Sequence, residues 1–257
     1  MSGTFSREYV AVYDLLYGSK DYTAEAAFVL DRLQAASPAP LRTVLDIGCG
    51  TGRHAHLMAG HGVRVQGVDL SDKMVALARE RGQDLPTASA VAFSQGDVRT
   101  FALSQTFDAA AALFHVFSYL TATEGLEAGM ARVRHHLPTG APFLFDYWYA
   151  EAIRRDGVER REREAENDAW RVHRLTEPVW EKDNDLVRVN FHVTATEKSS
   201  GTVHRWHEEH PMRYFDPDFL EHHLARHGFK VVEHGEWLTG GPPQAGALGA
   251  YLVAVAV

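Results

Sequence analysis

Three glycines at alternate positions, Gly48, Gly50 and Gly52, stand between the apolar run Thr43–Ile47 and a helical pattern through Leu57 and Met58. Glycines so placed let the backbone approach a ligand closely at the carboxyl edge of a sheet. Their G-x-G-x-G spacing differs from the dinucleotide fingerprint. Asp69 ends the next strand-like run, Val63–Val68, where a carboxylate can accept hydrogen bonds from a ribose diol. Asp97, in Gly96-Asp97-Val98, follows a third run, Ala90–Phe93, where an adenine edge would rest. Each has a plain structural explanation by itself: glycine for a tight turn, aspartate as a helix cap. Their coincidence at three successive strand ends points instead to one nucleoside-like ligand.

A second set of residues could meet a reacting partner. His115 and Tyr119 follow a fourth apolar run, Phe107–Phe114, and Trp148 ends a fifth, Phe143–Trp148. In a doubly wound sheet those positions border the crevice beside a bound ligand. Tyr119 reads equally as a core-rim aromatic, and His115 as a satisfied core histidine. Tyr13 and Tyr17, four residues apart, share one helix face; they are either packing residues or a lid over a cation, which aromatic faces attract. His204, His207 and His210 recur every third residue. On a strand His204 and His210 share a face and His207 points away, and no cysteine lies near, so no metal site is expected. His207, His210 and Arg213 form either a polar pocket wall near a phosphate-bearing acceptor or an exposed strand face.

The elements that position these residues follow from periodicity. Short β-branched runs alternate with helical stripes from residue 41 to about 150, which is the pattern of a βαβ series and a mostly parallel, doubly wound sheet. Ser71 is the expected N-cap of a helix carrying Met74, Val75, Leu77 and Ala78 and ending near Gly82. Leu126, Met130, Val133 and Leu137 mark another helix, stopped by Pro138-Thr139-Gly140. The Arg/Glu-crowded stretch 151–168 reads as a solvated linker or exposed helix. Three strand-like runs follow without helices. In the middle one Val187, Val189, Phe191, Val193 and Ala195 alternate with Arg188, Asn190, His192 and Thr194, as in a half-exposed antiparallel strand. Asp216-Pro217 then starts a helix stopped at Gly228, and strands near Val231–Trp237 and Tyr251–Val257 end the chain. The expected organisation is an N-terminal helical lid over 1–37, an α/β core over 38–150 and 216–257, and an antiparallel β insertion over 151–215.

Composition narrows the classes of function. The chain has 257 residues, 45% hydrophobic and 23% charged, with net charge −8, which argues against a general nucleic-acid or anionic-membrane binder. Its one cysteine, Cys49, excludes a disulfide framework and a multi-thiolate zinc site. No apolar run approaches the roughly 18–20 residues that span a bilayer. The opening Met1–Phe5 lacks the charged and apolar regions of a secretory signal, so a cytoplasmic protein is expected.

The glycine motif resembles the first motif of the class I S-adenosylmethionine-dependent methyltransferases, matched by Asp46-Ile47-Gly48-Cys49-Gly50-Thr51-Gly52. Asp69 is similar to their ribose-binding acid, Asp97 to their adenine-proximal acid, and Phe107-Asp108 with its apolar run to their fourth motif. The resemblance implies a Rossmann-like sheet of order 3-2-1-4-5-7-6 whose last strand is antiparallel. Outside that core, Tyr13–Tyr22, Leu113–Leu120, Phe145–Trp148 and Met212–Phe215 resemble the nucleotide-linked (TDP-type) amino-sugar N-methyltransferases of antibiotic pathways. That likeness implies S-adenosyl-L-methionine as cofactor, leaving as S-adenosyl-L-homocysteine. It assigns cofactor contacts to Tyr17, Lys20, Asp46, Gly48, Gly50 and Gly52, and further ones to Asp69, Leu70, Asp97, Val98 and Leu113. Tyr13, Trp148, His207, His210 and Arg213 fall to the acceptor, and Tyr119 or His115 to the base, with Tyr119 standing where the subfamily has its active-site histidine.

The function expected is N-methylation of a small polar acceptor, the amine of a nucleotide-diphosphate amino sugar. O- or N-methylation of another small metabolite is the alternative, and a non-catalytic cofactor-binding interaction protein is the alternative of another class. Nucleic-acid methylation is disfavoured because Phe107-Asp108-Ala109-Ala110 replaces the Asn/Asp-Pro-Pro-aromatic motif that holds a base. The partners expected are the sugar acceptor and a second copy of the chain in a homodimer, with no nucleic acid and no membrane.

Overall fold

The computed structural model describes residues 7–243 and 248–257; the Met1–Phe5 expectation lies outside them. In chain order the elements are α1 (Arg7–Leu16), α2 (Tyr22–Ala36), β1 (Thr43–Ile47), α3 (Arg53–Gly60), β2 (Arg64–Asp69) and α4 (Asp72–Gly82). Then come β3 (Val91–Gln95), β4 (Ala109–Ala112), α5 (Thr123–His135), β5 (Pro142–Tyr149) and α6 (Ala150–Asp156). The remainder is β6 (Arg161–Glu166), β7 (Trp170–Glu181), β8 (Leu186–Glu197), β9 (Val203–Phe215), α7 (Pro217–Arg226), β10 (Phe229–Glu236) and β11 (Gly249–Ala256). Contacts divide the chain into two units, Met1–Lys20 with Asp156–Arg213, and Asp21–Arg155 with Tyr214–Val257.

In the larger unit β3, β2, β1, β4 and β5 pair in parallel. β11 adds antiparallel to β5, and β10 antiparallel to β11. Counting core strands alone, this is the expected order 3-2-1-4-5-7-6, and the chain has the class I methyltransferase sheet. Helices cover both faces, so its central strands must be apolar on both sides. β4 meets that requirement with Ala109–Ala112, all fully buried between β1 and β5. Along β5, Phe143, Phe145 and Tyr147 pack into one core cluster with Met130, Leu220 and Leu224, while Leu144 packs into another with Val29, Val44 and Met58. Asp146 and Trp148 therefore share the Leu144 face.

Several boundaries move for local reasons. The fourth strand, expected over Phe107–Phe114, pairs only at Ala109–Ala112, because Phe114 and His115 take left-handed backbone (φ 72° and 63°) and leave the ladder. Ser71 caps α4 as expected, its hydroxyl accepting from Met74 N. Asp216 stands at the N-cap of α7 with Pro217 behind it, but its carboxylate takes a fork from Arg154 at 2.8 and 2.9 Å instead of capping.

The smaller unit is an antiparallel sheet β6-β7-β8-β9 with α1. The expectation of a linker or helix over 151–168 is corrected here: after the short α6, Arg161–Glu166 form the edge strand β6, so the insertion has four strands rather than three. An edge strand in water needs no apolar face, and its charges deter further pairing. They are matched across the sheet instead, Glu162 by His173 and Glu166 by Arg171. β8 keeps the expected alternation, with Val187, Val189, Val193 and Ala195 buried.

Candidate active site

The glycine loop is built for close approach. Gly48, Gly50 and Gly52 all have positive φ (68°, 53° and 76°), a backbone that side chains bearing a Cβ rarely adopt. Two of them are sealed by protein: a Cβ on Gly48 would lie 2.3 Å from Val116 Cγ2, and one on Gly52 2.6 Å from the Phe93 ring. A Cβ on Gly50 would meet nothing within 4 Å. The middle of the loop thus faces open space, while its flanks are locked to β3 and to the turn after β4.

Three acids stand near the carboxyl ends of β1, β2 and β3, each in a different electrostatic state. Asp69, at the end of β2, accepts from Gly50 N and Ser71 N, both at 2.8 Å, and so ties the loop to the start of α4. Burial raises its pKa, and those two N–H bonds oppose the rise. Asp46 is 1% exposed, and its Oδ2 accepts no hydrogen bond among the described residues. Desolvation, with the Asp69 charge adding to it, pushes the Asp46 pKa up to about 7. Asp97 is held below the ordinary carboxylate range by its side-chain hydrogen bonds with Arg99, which also donates its backbone N–H at 2.9 Å. Next to Asp69, Leu70 is 66% exposed, an apolar side chain left in water at the rim. Val98 packs against the core, and Leu113 is buried at the end of β4.

Beyond β4 the backbone turns through Phe114 and His115 into a single 3-10 turn, Val116–Tyr119. Two consecutive non-glycine residues in left-handed backbone cost about 1–2 kcal/mol each. Asp146, from the neighbouring β5, holds this turn: its Oδ1 accepts the His115 N–H at 3.0 Å. Its Oδ2 lies 2.9 Å from His115 Nδ1, an ion-pair distance, with the ring turned off the line of a straight hydrogen bond. The Trp148 ring meets the His115 ring edge-on, centroids 6.2 Å apart. His115 and Trp148 are therefore brought together, and Tyr119 is half-buried one turn further along.

The remaining predicted site residues lie in the smaller unit. Tyr13 and Tyr17 share a face of α1, ring centroids 4.7 Å apart, and the Tyr17 hydroxyl accepts from Arg174 Nη1 at 2.8 Å. Lys20 closes the turn after α1, its N–H donating to Tyr17 O. On β9 the histidines do not form one wall. His210 is 1% exposed, 3.1 Å from Glu208 Oε2, whereas His207 is exposed on the opposite face with Asn190 and the His192 ring. Strand alternation separates them, and it puts Arg213 on the His207 side. Among the described residues no group of three or more His, Cys, Asp or Glu could hold a metal.

Comparison with known proteins decides the family. Residues 44–140 match the family model of a methyltransferase domain. Over 246 residues the chain is 30% identical to a dTDP-3-amino-3,4,6-trideoxy-alpha-D-glucopyranose N,N-dimethyltransferase of Streptomyces venezuelae, covering 93% of this chain and 95% of that protein. The chain belongs to the S-adenosylmethionine-dependent methyltransferases. Among solved structures it is similar to DesVI of Streptomyces venezuelae, with a TM-score of 0.81 and 25% identity over 98% of this chain and 100% of that one. It is similar also to S-adenosylmethionine-bound CalS10, an amino pentose methyltransferase from Micromonospora echinaspora, with a TM-score of 0.75 and 25% identity over the full length of both.

S-adenosylmethionine is the cofactor of this methyltransferase, and the residues present fit it. A ligand carrying an ammonium and a sulfonium supplies the positive charge that buried Asp46 lacks. Gly50 leaves the room for it, and exposed Leu70 offers an apolar surface to a base. The structure also brings in residues that sequence reading passed over. Val116 seals Gly48, Arg99 occupies Asp97, and Asp146 holds His115. Of these only Asp146 left a signal: a carboxylate inside the otherwise apolar run Pro142–Trp148 is a buried charge in need of a reason.

Proposed function

We propose that this methyltransferase methylates the amine of a nucleotide-diphosphate amino sugar of the TDP type, in an antibiotic pathway. The observation that carries the reading is the nearly end-to-end likeness to the amino-sugar N,N-dimethyltransferase, which extends beyond the cofactor core through the antiparallel insertion. The sheet and glycine loop alone would serve many acceptors. A cytoplasmic enzyme goes with this reading; its one cysteine is buried and free, and among the described residues no helix is long and apolar enough to cross a membrane.

When bound, S-adenosylmethionine supplies an electrophilic methyl on its sulfonium and departs as S-adenosylhomocysteine. The chain's own residues do the rest. The Gly48–Gly52 loop, Asp46 and Asp69 bind and orient, Leu70 and Val98 flank the base, and Trp148 and His115 border the place where an acceptor nitrogen must stand. Positioning accounts for most of the rate in such an in-line transfer. The amine must arrive neutral, and a low-dielectric crevice favours that form. His115, and after it Tyr119, are the groups placed to take the proton that nitrogen sheds.

The test is mass spectrometry after incubating the pure protein with S-adenosylmethionine and a panel of nucleotide-linked amino sugars, with the matching hydroxy sugars as controls. Amino sugars that gain one or two methyls, with the hydroxy controls unchanged, support the reading. Cofactor binding with no methylated amino sugar refutes it.

A further inference from the structure

Asp146 is 2% exposed in a strand whose neighbours from Pro142 to Tyr147 are apolar or aromatic. A carboxylate there is costly unless partners hold it, and each of its oxygens lies against His115: Oδ1 on the backbone N–H at 3.0 Å, Oδ2 at 2.9 Å from Nδ1. His115 in turn sits in left-handed backbone directly after another left-handed residue, so its ring is aimed by a turn that the carboxylate fastens. Of the groups recorded against the imidazole among the described residues, the Phe114 and Trp148 rings are neutral and Asp146 is the one that titrates.

We propose that Asp146 is a positioning residue for the methyl transfer. It holds His115 with the proton on Nδ1 and leaves Nε2 free to take the proton shed by the acceptor nitrogen. A small rotation of the ring brings Nδ1–H onto the line to Oδ2, the tightening that catalytic hydrogen bonds undergo when substrate is bound. The nitrogen lone pair forms the new bond to carbon as the carbon–sulfur bond breaks and sulfur keeps that pair. The nitrogen's proton passes to Nε2 and from there to solvent. The same carboxylate thus fixes the backbone and selects the tautomer, which makes His115, rather than Tyr119, the base. This proposal rests on the reading of the chain as an amine methyltransferase.

Asp146→Asn tests it, because the amide oxygen can still accept the His115 N–H while the amide N–H donates to Nδ1 and drives the proton to Nε2. With 15N-histidine in the full chain, and His115→Gln to assign the resonance among the 15 histidines, NMR should show the Nδ1–H tautomer in the wild type and the Nε2–H tautomer in Asp146→Asn. With the acceptor that the wild type methylates, Asp146→Asn should lose kcat by about 100-fold at neutral pH. Its KM for S-adenosylmethionine should hold, and the loss should shrink with rising pH as hydroxide takes the proton that the methylated nitrogen sheds. His115→Gln should show the same profile, and the double variant should be no worse than either. A wild-type tautomer or pH profile in Asp146→Asn overturns the proposal, as do multiplicative losses in the double variant. If Asp146→Asn and Asp146→Ser both lose S-adenosylhomocysteine binding and fold, the residue is structural only and the proposal fails. If the wild type methylates no amino sugar, the functional reading falls by itself, and the NMR result still decides whether Asp146 sets the tautomer.

Discussion

Replacing Asp46 by asparagine should make the ligand-free protein more stable above about pH 4 and weaken its hold on the cofactor. Burial pushes the Asp46 pKa from an ordinary 3.8 to about 7, with Asp69 adding to the rise. The folded state therefore binds this proton more tightly than the unfolded chain. Stability falls as pH rises between those two values, and the full penalty is present above pH 7. A shift of roughly three units corresponds to about 4 kcal/mol for holding Asp46 ionised with no cation beside it. An asparagine amide would carry no charge at any pH. In thermal melts without ligand, Asp46→Asn and wild type should nearly coincide at about pH 4, where little of the penalty has developed, and separate steadily from there to pH 7. At pH 8 the variant should melt higher by about 8–16 °C, at the 2–4 °C per kcal/mol usual for a chain of this size. S-adenosylhomocysteine titration at pH 8 should show the opposite sign, a loss of about 10- to 100-fold for one charged hydrogen bond. A melting difference independent of pH, or a variant that is less stable at pH 8, would refute the argument that Asp46 is a buried charge awaiting a cation.

Five other substitutions bear on binding and on folding. Gly50→Ala adds a methyl into open space at left-handed φ, so it should cost about 1–2 kcal/mol in a melt yet abolish most S-adenosylhomocysteine binding; Gly48→Ala, whose Cβ would lie 2.3 Å from Val116, should instead destabilise more strongly. Asp69→Ala frees the N–H groups of Gly50 and Ser71 and should lose cofactor binding together with about 1–3 kcal/mol of stability, whereas Leu70→Ala, at an exposed position, should weaken binding and leave the melt within about 0.5 kcal/mol. Arg154→Ala, which breaks the surface fork to Asp216, should cost under about 1 kcal/mol by denaturant titration despite its good geometry.

The parts of this molecule that were legible in the sequence are those where one physical demand dictates the residue. Parallel strands buried on both faces must be apolar, which made Thr43–Ile47 and Phe143–Trp148 readable. A left-handed backbone open to a ligand favours glycine, which marked Gly48, Gly50 and Gly52. The edge strand β6 was not legible, because its half-buried face carries only Arg163 and Ala165 and so shows no apolar period. The fourth strand read too long because left-handed φ at Phe114 and His115 is imposed by tertiary contact with Asp146, not by residue type. The partners of a site are likewise invisible one residue at a time. Asp97 reads as a free acid until Arg99 folds back on it, whereas the alternation of a strand already sends His207 and His210 to opposite faces, as the structure has them.

On the function proposed above, the crevice at the carboxyl ends of β1, β2, β4 and β5 transfers a methyl from S-adenosylmethionine to a sugar nitrogen. The most direct test is to supply methyl-13C-labelled S-adenosylmethionine with a TDP-linked amino sugar and follow the label by NMR. The label should appear as an N-methyl resonance of the sugar, and Asp69→Ala should abolish it. Label on a sugar oxygen, or label that stays on the cofactor while S-adenosylhomocysteine still binds the protein, would contradict it.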